Sequence, residues 1–575
     1  MASMAYRAAR EPAVASADFA KLAQRILQQR FLRACVYELP LAYLVAVAAN
    51  LHVRRGILSV AYALVSPRTL AYTAAAYAAG VVVLGIHARL YHVTRAAHGS
   101  HFPGLQRLLR RPAVTAEAVV AYVGLAFFAT AVHGWMFGGA ATRMWLYPEG
   151  HYGPPQLNPG WLASWALATA VGAGYAAQLV GGERLQLQFP AVEQGRVYAL
   201  KDRLPRGFSH AAGFALGVLV QFWVGYLVFG WGFYQSVCGV LARVFSTSSY
   251  GVGSPLLSAS VLFFWLRSSA LTVLTWELAH QLFEVVITEP THINELSLDR
   301  NLCLVSGLKH ADSPLIQLLA YQELYRLAAF SPEQRAELLA DIDRASGTMW
   351  SQVSGQCIGV IKAATEQLQA RAAPAPATDK AAQDGRRSLE PGASLRAGGA
   401  PMGDILQRSR RPLGGTAAAG PAKAAPASQA DLFGVEAQGL EKYVLTTLRD
   451  MLLRSALGQR IMSRSQRARS ISTFANLQQQ VWAIRALMRL VECSIREDRY
   501  GVVQGDIGAV LGVLFAYLEA LEGSAQTAGG QAAAMIQVLR NTLYGFTTTF
   551  YEYLAALKLP AEQARRLQQF ADFQA

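Results

Sequence analysis

The densest group of side chains able to do chemistry is the run that holds His87, His92, His98 and His101. Imidazoles hold zinc or a related metal when two share a helix face four residues apart, or when thiolates or carboxylates complete the shell. Neither condition is met, since no pair has i, i+4 spacing and the stretch lacks Cys and nearby Asp or Glu. The five cysteines, Cys35, Cys238, Cys303, Cys357 and Cys493, contain no CxxC pair, which points away from a zinc site and from a disulfide framework. The sequence also lacks a GxxxxGK(S/T) phosphate loop, an HExxH pair, a GxSxG elbow and a DHHC box. No catalytic residue, metal or cofactor is expected, and the chain is not read as an enzyme.

Two charged residues raise a different chemistry. Arg267 sits near the middle of the apolar run 256–276, and Glu38 interrupts the apolar run 34–51. A charge in hydrocarbon is costly, so Arg267 should face other helices and find a partner there, or snorkel towards the interface. Glu38 is the expected mate. A structural intramembrane pair is favoured over a conduction path.

The elements that position these residues are long apolar segments. About 20 residues at 1.5 Å rise cross the ~30 Å hydrocarbon core as a helix. Six runs have that length, at 34–51, 69–86, 114–133, 161–180, 211–233 and 256–276. The composition agrees, being 53% hydrophobic and only 15% charged. Small residues crowd some runs, including Gly213 and Gly217 in a GxxxG arrangement and Ala166, Ala170, Gly172, Ala173 and Gly174 in the fourth. They are expected to let helices of one bundle approach closely, with a homo-oligomer interface as the alternative.

Loop charge gives an orientation. Lys and Arg stay on the cytosolic side. Arg7, Arg10, Lys21, Arg25, Arg30 and Arg33 precede the first run; Arg89, Arg95, Arg107, Arg110 and Arg111 follow the second; Arg184, Arg196, Lys201, Arg203 and Arg206 follow the fourth. The alternate loops hold only Arg54, Arg55 and Arg68, then Arg143, then Arg243. Both termini are therefore expected in the cytosol. The N-terminal stretch has no signal-peptide core, so the first span should act as its own targeting signal. The net charge of +15 is distributed over these loops, and a direct nucleic-acid contact is not expected.

After the sixth run the sequence continues as ELAHQLFEVVITEP towards Pro290, and beyond it the apolar residues recur at helical spacing. One stripe is SPLIQLLAYQELYRLAAF; the next helix should start at Ser331, with Pro332 at its first position and Gln334 completing a capping box. Another should cover 353–368. Residues 372–430 are dominated by Ala, Pro, Gly, Ser and Arg and cannot offset the entropy of ordering. Helical stripes return at 443–455, 481–495 and 507–521, with Asp506 placed to cap the last, and two more follow to 573. The arginine-rich piece GQRIMSRSQRARS reads as a solvated loop. The expected fold is thus all-α, a polytopic membrane protein with six transmembrane helices followed by a cytosolic α-helical domain interrupted by a disordered linker. Its expected divisions are 1–33 (cytosolic tail), 34–278 (membrane domain), 279–371 (juxtamembrane and first helical region), 372–430 (linker) and 431–575 (C-terminal helical domain).

The words SIREDRYGVVQGDIGAVLGVLFAYLEAL, LYGFTTTFYEYLAAL and RRLQQFADF, in that order, resemble the multipass transmembrane nucleoporin family called nuclear division cycle one. FEVVITEP after the sixth run and PLIQLLAYQELYRLAAFSPEQRAEL resemble the same family's early soluble region. Glu497, Asp498, Tyr500, Gly501, Val502, Val503 and Gln504 carry the most recognisable motif; it reads as a helix end and turn, with Gly501 in a left-handed conformation, shaping a partner surface rather than contacting the partner itself. The resemblance implies a multi-pass protein of the nuclear envelope, in the pore membrane, that anchors the nuclear pore complex and assists its assembly and insertion. It thereby serves protein and mRNA transport. The implied partners are membrane lipid and other nucleoporins, among them an aladin-like WD-repeat protein and inner-ring nucleoporins with amphipathic helices; fungal relatives also serve spindle-pole-body insertion. Two other readings stay open from the residues alone, a six-span channel or transporter with a cytosolic regulatory domain and a lipid-modifying membrane enzyme.

The orientation has a direct check. A glycosylation acceptor inserted near Tyr152 or Ser249 should be modified in microsomes and one near Gly195 should not; modification at Gly195 would reverse the assignment.

Overall fold

The computed structural model describes residues 18–50, 57–94, 103–138, 142–146, 156–190, 195–245, 259–290, 292–372, 476–528, 530–554 and 560–572. The expected linker, the 443–455 helix and the arginine-rich piece lie outside them. The first helices are α1 (Phe19–Asn50), α2 (Ile57–Val65), α3 (Pro67–Leu90), α4 (Pro103–Arg110), α5 (Pro112–Phe137), α6 (Pro159–Gly181), α7 (Arg196–Phe245) and α8 (Ala259–Ile287). A hairpin of β1 (Trp145–Leu146) and β2 (Gln156–Leu157), antiparallel with Trp145 opposite Leu157, joins α5 to α6. Then come α9 (Arg300–Leu308), α10 (Pro314–Phe330), α11 (Pro332–Ala340), α12 (Met349–Ala372), α13 (Leu477–Glu497), α14 (Ile507–Ala528), α15 (Gly530–Thr549) and α16 (Ala561–Ala571).

Local chemistry fixes several helix starts. Pro67, Pro112 and Pro159 stand at first helical positions, where a missing N–H costs nothing. Ser66 Oγ accepts Thr69 N at 3.1 Å and Asn158 Oδ1 accepts Gly160 N at 2.9 Å, so two orphan donors are satisfied. At Ser331 the expected capping box does not form: Pro332 opens α11, but the serine side chain makes no capping hydrogen bond. Its backbone N–H is already engaged by Leu327 O at the end of α10, so the two helices meet at a corner with no free cap position.

Among the described residues, six helical segments are long and apolar enough to cross a membrane: α1, α3, α5, residues 196–240 of α7, α8, and residues 504–523. The set differs in one member from the six sequence runs. Segment 161–180, now α6, is not among them, yet it packs along α5 and against α4, α7 and α8 in the bundle. Residues 504–523 qualify by composition, but α14 lies against α12 and α15 with Val510, Leu511, Leu514 and Leu521 buried. Its neighbours α12, α15 and α16 are all helices of the body that follows the bundle, and this packing places it there.

The first span is longer than its sequence run. α1 passes through Glu38 and Pro40 without a break and begins at Phe19, so much of the expected tail is helix. Phe19, Leu22, Ala23 and Leu27 are buried, and α1 contacts α9 and α10 as well as α3 and α8. The helices on either side of the undescribed stretch 373–475 also form one body, with α13 packed on α10, α11 and α12, and α14 on α12.

The small residues divide into two kinds. A methyl group added at Gly172 would lie 2.6 Å from Val123 Cα and 2.7 Å from Tyr122 O, so this glycine permits the close approach of α6 to α5. Gly213 and Gly217 do not fulfil the packing expectation, because a Cβ at either meets nothing within 4 Å. α7 runs along the outside of the bundle and turns this pair away from its neighbours. Gly172→Ala should therefore lower the thermal unfolding midpoint of the detergent-solubilised protein, costing about 1–3 kcal/mol, whereas Gly213→Ala should be neutral or slightly stabilising. Equal effects would contradict this division.

Candidate functional site

The side chains that join the apolar bundle to the helical body that follows it converge at the end of α8, beside the stretch of α1 that packs on α9 and α10. The last carbonyls of any helix lack intrahelical donors. At the end of α8, Arg30 of α1 supplies one: Nη1 donates to Ile287 O at 2.8 Å, while Nη2 donates to Pro290 O, just beyond the helix, at 3.0 Å, with the arginine buried. Phe19 N donates to Ser306 Oγ at 3.2 Å, and the Phe19 ring lies against Gly307. α1 thus ties the apolar bundle to α9 directly.

A ladder of charge joins α7 to α8 at this end. Arg196 Nε donates to Glu289 Oε1 at 2.6 Å and Arg203 Nη1 to Glu284 Oε2 at 2.7 Å. His210 Nδ1 lies 3.1 Å from Glu277 Oε1. Arg196, Arg203 and His210 are seven residues apart on α7, as are Glu277 and Glu284 on α8, so antiparallel helices bring like rungs together. Glu277 is fully buried and is held by Arg184 through two bonds of 2.7 Å and by Tyr175 Oη at 2.8 Å. Next to it, His87 Nδ1 contacts Val83 O at 2.8 Å; a carbonyl only accepts, so His87 Nε2 is the acceptor for the Nδ1–H of His280 at 3.0 Å. By sequence alone these arginines are loop charges, and their seven-residue spacing is the signal that puts them on one helix face.

The expected pair of Glu38 and Arg267 does not form. Arg267 donates to Ala49 O, in the last turn of α1, and its guanidinium lies 3.7 Å from the centroid of the Phe137 ring. Glu38 is buried against Gly80, and its Oε2 has no hydrogen-bond partner among the described residues. Glu38 and Ala49 are eleven positions apart, about 16 Å of helix, which keeps the charges apart. Of the four histidines read as a run, His87 is buried in the network above, His92 lies in a bridge with Gln186, and His98 and His101 lie outside the described residues.

The motif residues form a corner. Glu497 at the end of α13 receives Arg335 of α11 through bonds of 2.7 and 2.8 Å. Asp498 accepts Tyr500 N at 3.2 Å and Val503 N at 2.9 Å, Gly501 has φ +68°, and Val503 is fully buried. That φ favours glycine. Val502 packs at the core margin, Gln504 begins a short 3-10 turn, and Tyr500 is 62% exposed. The corner also receives a bond from the other half of the body, since Asp506 Oδ2 accepts Trp350 Nε1 at 2.8 Å, which occupies the carboxylate expected to cap α14.

Apolar helices of spanning length, closed at one end by a helical body, define a multi-pass membrane protein with an appended helical scaffold. Residues 25–568 match the model described as "Nucleoporin protein Ndc1-Nup", and the chain belongs to the Ndc1 nucleoporin family, a structural and non-enzymatic membrane family. It is 31% identical over 150 residues to nucleoporin NDC1 of Xenopus laevis, a match covering 23% of each chain. Against the Homo sapiens protein identity is 23% over 413 residues, covering 56% of this chain and 61% of the relative; against Drosophila melanogaster Ndc1 it is 21% over 421 residues, covering 67% and 70%.

One acid at the junction gives a pH-dependent readout. Burial pushes the Glu323 carboxyl up to about 8 from its ordinary 4.5, against the opposing effect of the Asn294 N–H that donates to its Oε1 at 2.7 Å. The folded state thus holds this proton more tightly than the unfolded chain, so the stability it contributes is full below about 4.5 and is lost as pH rises through about 8. Glu323→Gln should flatten the fall in unfolding midpoint across that window; an unchanged slope would show that Glu323 does not titrate there.

Proposed function

We propose that the chain anchors the nuclear pore complex to the pore membrane and supports its assembly and insertion in the nuclear envelope. In this reading the apolar bundle is the anchor and the body from α9 to α16 is the adaptor, on the cytosolic or pore side with both termini. The single observation that carries it is the continuous connection at the junction: Arg30 of the first span closes the last span, while the same α1 packs on α9 and α10. A force on the helical body is then transmitted to the bundle through packed helices. The family match supplies the pore context. The adaptor's partners are other nucleoporins, with an aladin-like WD-repeat protein and inner-ring amphipathic-helix nucleoporins as the expected set, and the corner at Glu497 to Gln504 shapes the surface they meet. No observation favours the channel reading, since Arg267 is engaged by the Ala49 carbonyl and the Phe137 ring.

Leu514 is fully buried in α14. Leu514→Asp puts an unpaired carboxylate into that core at a cost of several kcal/mol, comparable with the roughly 5–15 kcal/mol stability of a domain. The variant should still insert in the nuclear envelope and endoplasmic reticulum, while proximity labelling from its C-terminus loses the nucleoporins that the unmodified chain recovers. Full recovery would move the adaptor surface into the bundle or its loops.

A further inference from the structure

The outward face of α7 carries a polar group where lipid surrounds it. Among the described helices of spanning length α7 is the least buried, and its apolar run 211–233 holds no Asp, Glu, Lys or Arg. Gln221 stands near the middle of that run, is exposed, and makes no hydrogen bond to any described residue. Its carboxamide has two N–H donors and a carbonyl acceptor to satisfy. The hydrocarbon core has no water to serve them, so each unmet group costs free energy until a polar partner arrives. Other polar side chains of the bundle solve this within their own helix: Thr169 donates to Trp165 O at 3.1 Å and Asn50 to Ala46 O at 3.0 Å. Gln221 makes no such bond.

The residues around Gln221 are those that let a second helix come close. Gly217 and Gly225 lie one turn to either side of it on the same face, and a Cβ at either meets nothing within 4 Å. Val220, Val224 and Val228 line the same strip and are exposed. Glycine lets backbones approach where lipid gives no hydrophobic drive, and a helical valine is already held in one rotamer, so it loses little entropy on contact. The glycines are symmetric about Gln221, which puts the closest approach at the amide.

We infer that this face is the contact between two copies of the chain, with their α7 helices crossing at Gln221. A second copy has the same orientation in the bilayer, so the pair is parallel and related by a two-fold axis along the membrane normal. At such an axis each residue meets its counterpart at equal depth. A carboxamide is self-complementary: the N–H of one Gln221 donates to the carbonyl of the other, and the reverse, so each amide gains a donor and an acceptor. A lysine or a carboxylate there would repel its own copy. Glycine-rich helices of right-handed crossing are inclined by about 40°, so Gly213, about 12 Å along the helix from the crossing, stands clear of the partner. The inference is independent of the nucleoporin reading and needs only that the bundle spans a bilayer.

The test uses the full chain, carrying one fluorophore at its C-terminus and reconstituted in phosphatidylcholine liposomes at decreasing protein density, with photobleaching steps counted for each liposome. Two steps should prevail over random co-occupancy and give way to one on dilution. Gln221→Leu should raise the dissociation constant about tenfold, equivalent to about 1.4 kcal/mol, and Gly217→Ile should raise it at least as far. Gln221→Asn keeps a self-complementary amide and should stay near the parent value. Val120→Leu, on the exposed side of α5, should change nothing. Positions 217 and 221 are exposed, so these variants should keep the helix content of the parent. A parent that bleaches in single steps at every density would overturn the assignment and leave this face to lipid or to another protein's helix. So would Gln221→Leu or Gly217→Ile dimerising like the parent, Gln221→Asn as weak as Gln221→Leu, or steps beyond two, which would show unspecific clustering.

Discussion

A helix that ends inside or beside a membrane has carbonyl groups that neither water nor its own N–H groups can satisfy, and the bundle meets this constraint by exchange. Arg30 of α1 donates to the carbonyls that close α8, and Arg267 of α8 donates to the last turn of α1. The two helices are antiparallel, so each lends an arginine to the other's C-terminal end, where a cation also suits the helix dipole. The first and last spans are thereby held in register. The remaining helices pack around this pair, with α3 against both and α7 along α8.

The end that meets the helical body carries the denser set of bonds. Glu277 accepts from Arg184 and Tyr175, and the Arg203–Glu284 and Arg196–Glu289 contacts continue the series along α8. Removing one partner of a buried pair costs far more than the pair contributes, so such a network specifies one arrangement rather than adding much net stability. Farther along, Arg335–Glu497 and Trp350–Asp506 join helices from opposite sides of the stretch 373–475. The helical body is therefore closed by contacts between its two halves and does not depend on chain continuity through that stretch.

The spans were legible because a run of about 20 apolar residues has few other uses. The helical body was legible for a related reason, as the stripes of α10, α13 and α14 follow the helical period. What escaped the sequence involves either backbone or the third dimension. The partner of Arg267 is a carbonyl, which every residue carries, so no residue type advertised it and Glu38 was the most plausible candidate by charge. Gly213 and Gly217 have the spacing of a packing motif, but whether that face turns inward depends on where α7 sits. Segment 504–523 has the hydropathy of a span and is as buried as α3 and α8; what separates it is that it packs on α12, α15 and α16 in the helical body, whereas α6 packs on α5 and α4 in the bundle. The corner at Gly501 was readable because a positive φ restricts the residue that can stand there.

The position of Arg30 has a consequence for synthesis. It emerges from the ribosome 257 residues before the carbonyl of Ile287 that it will meet. At roughly 5–20 residues per second, that interval is on the order of 13 to 50 s. Through this time α1 is present with Phe19, Leu22 and Leu27 uncovered, since the helices that bury them are translated later still. The nascent chain must therefore be shielded during biogenesis, by the insertion machinery or a chaperone, until α8, α9 and α10 arrive.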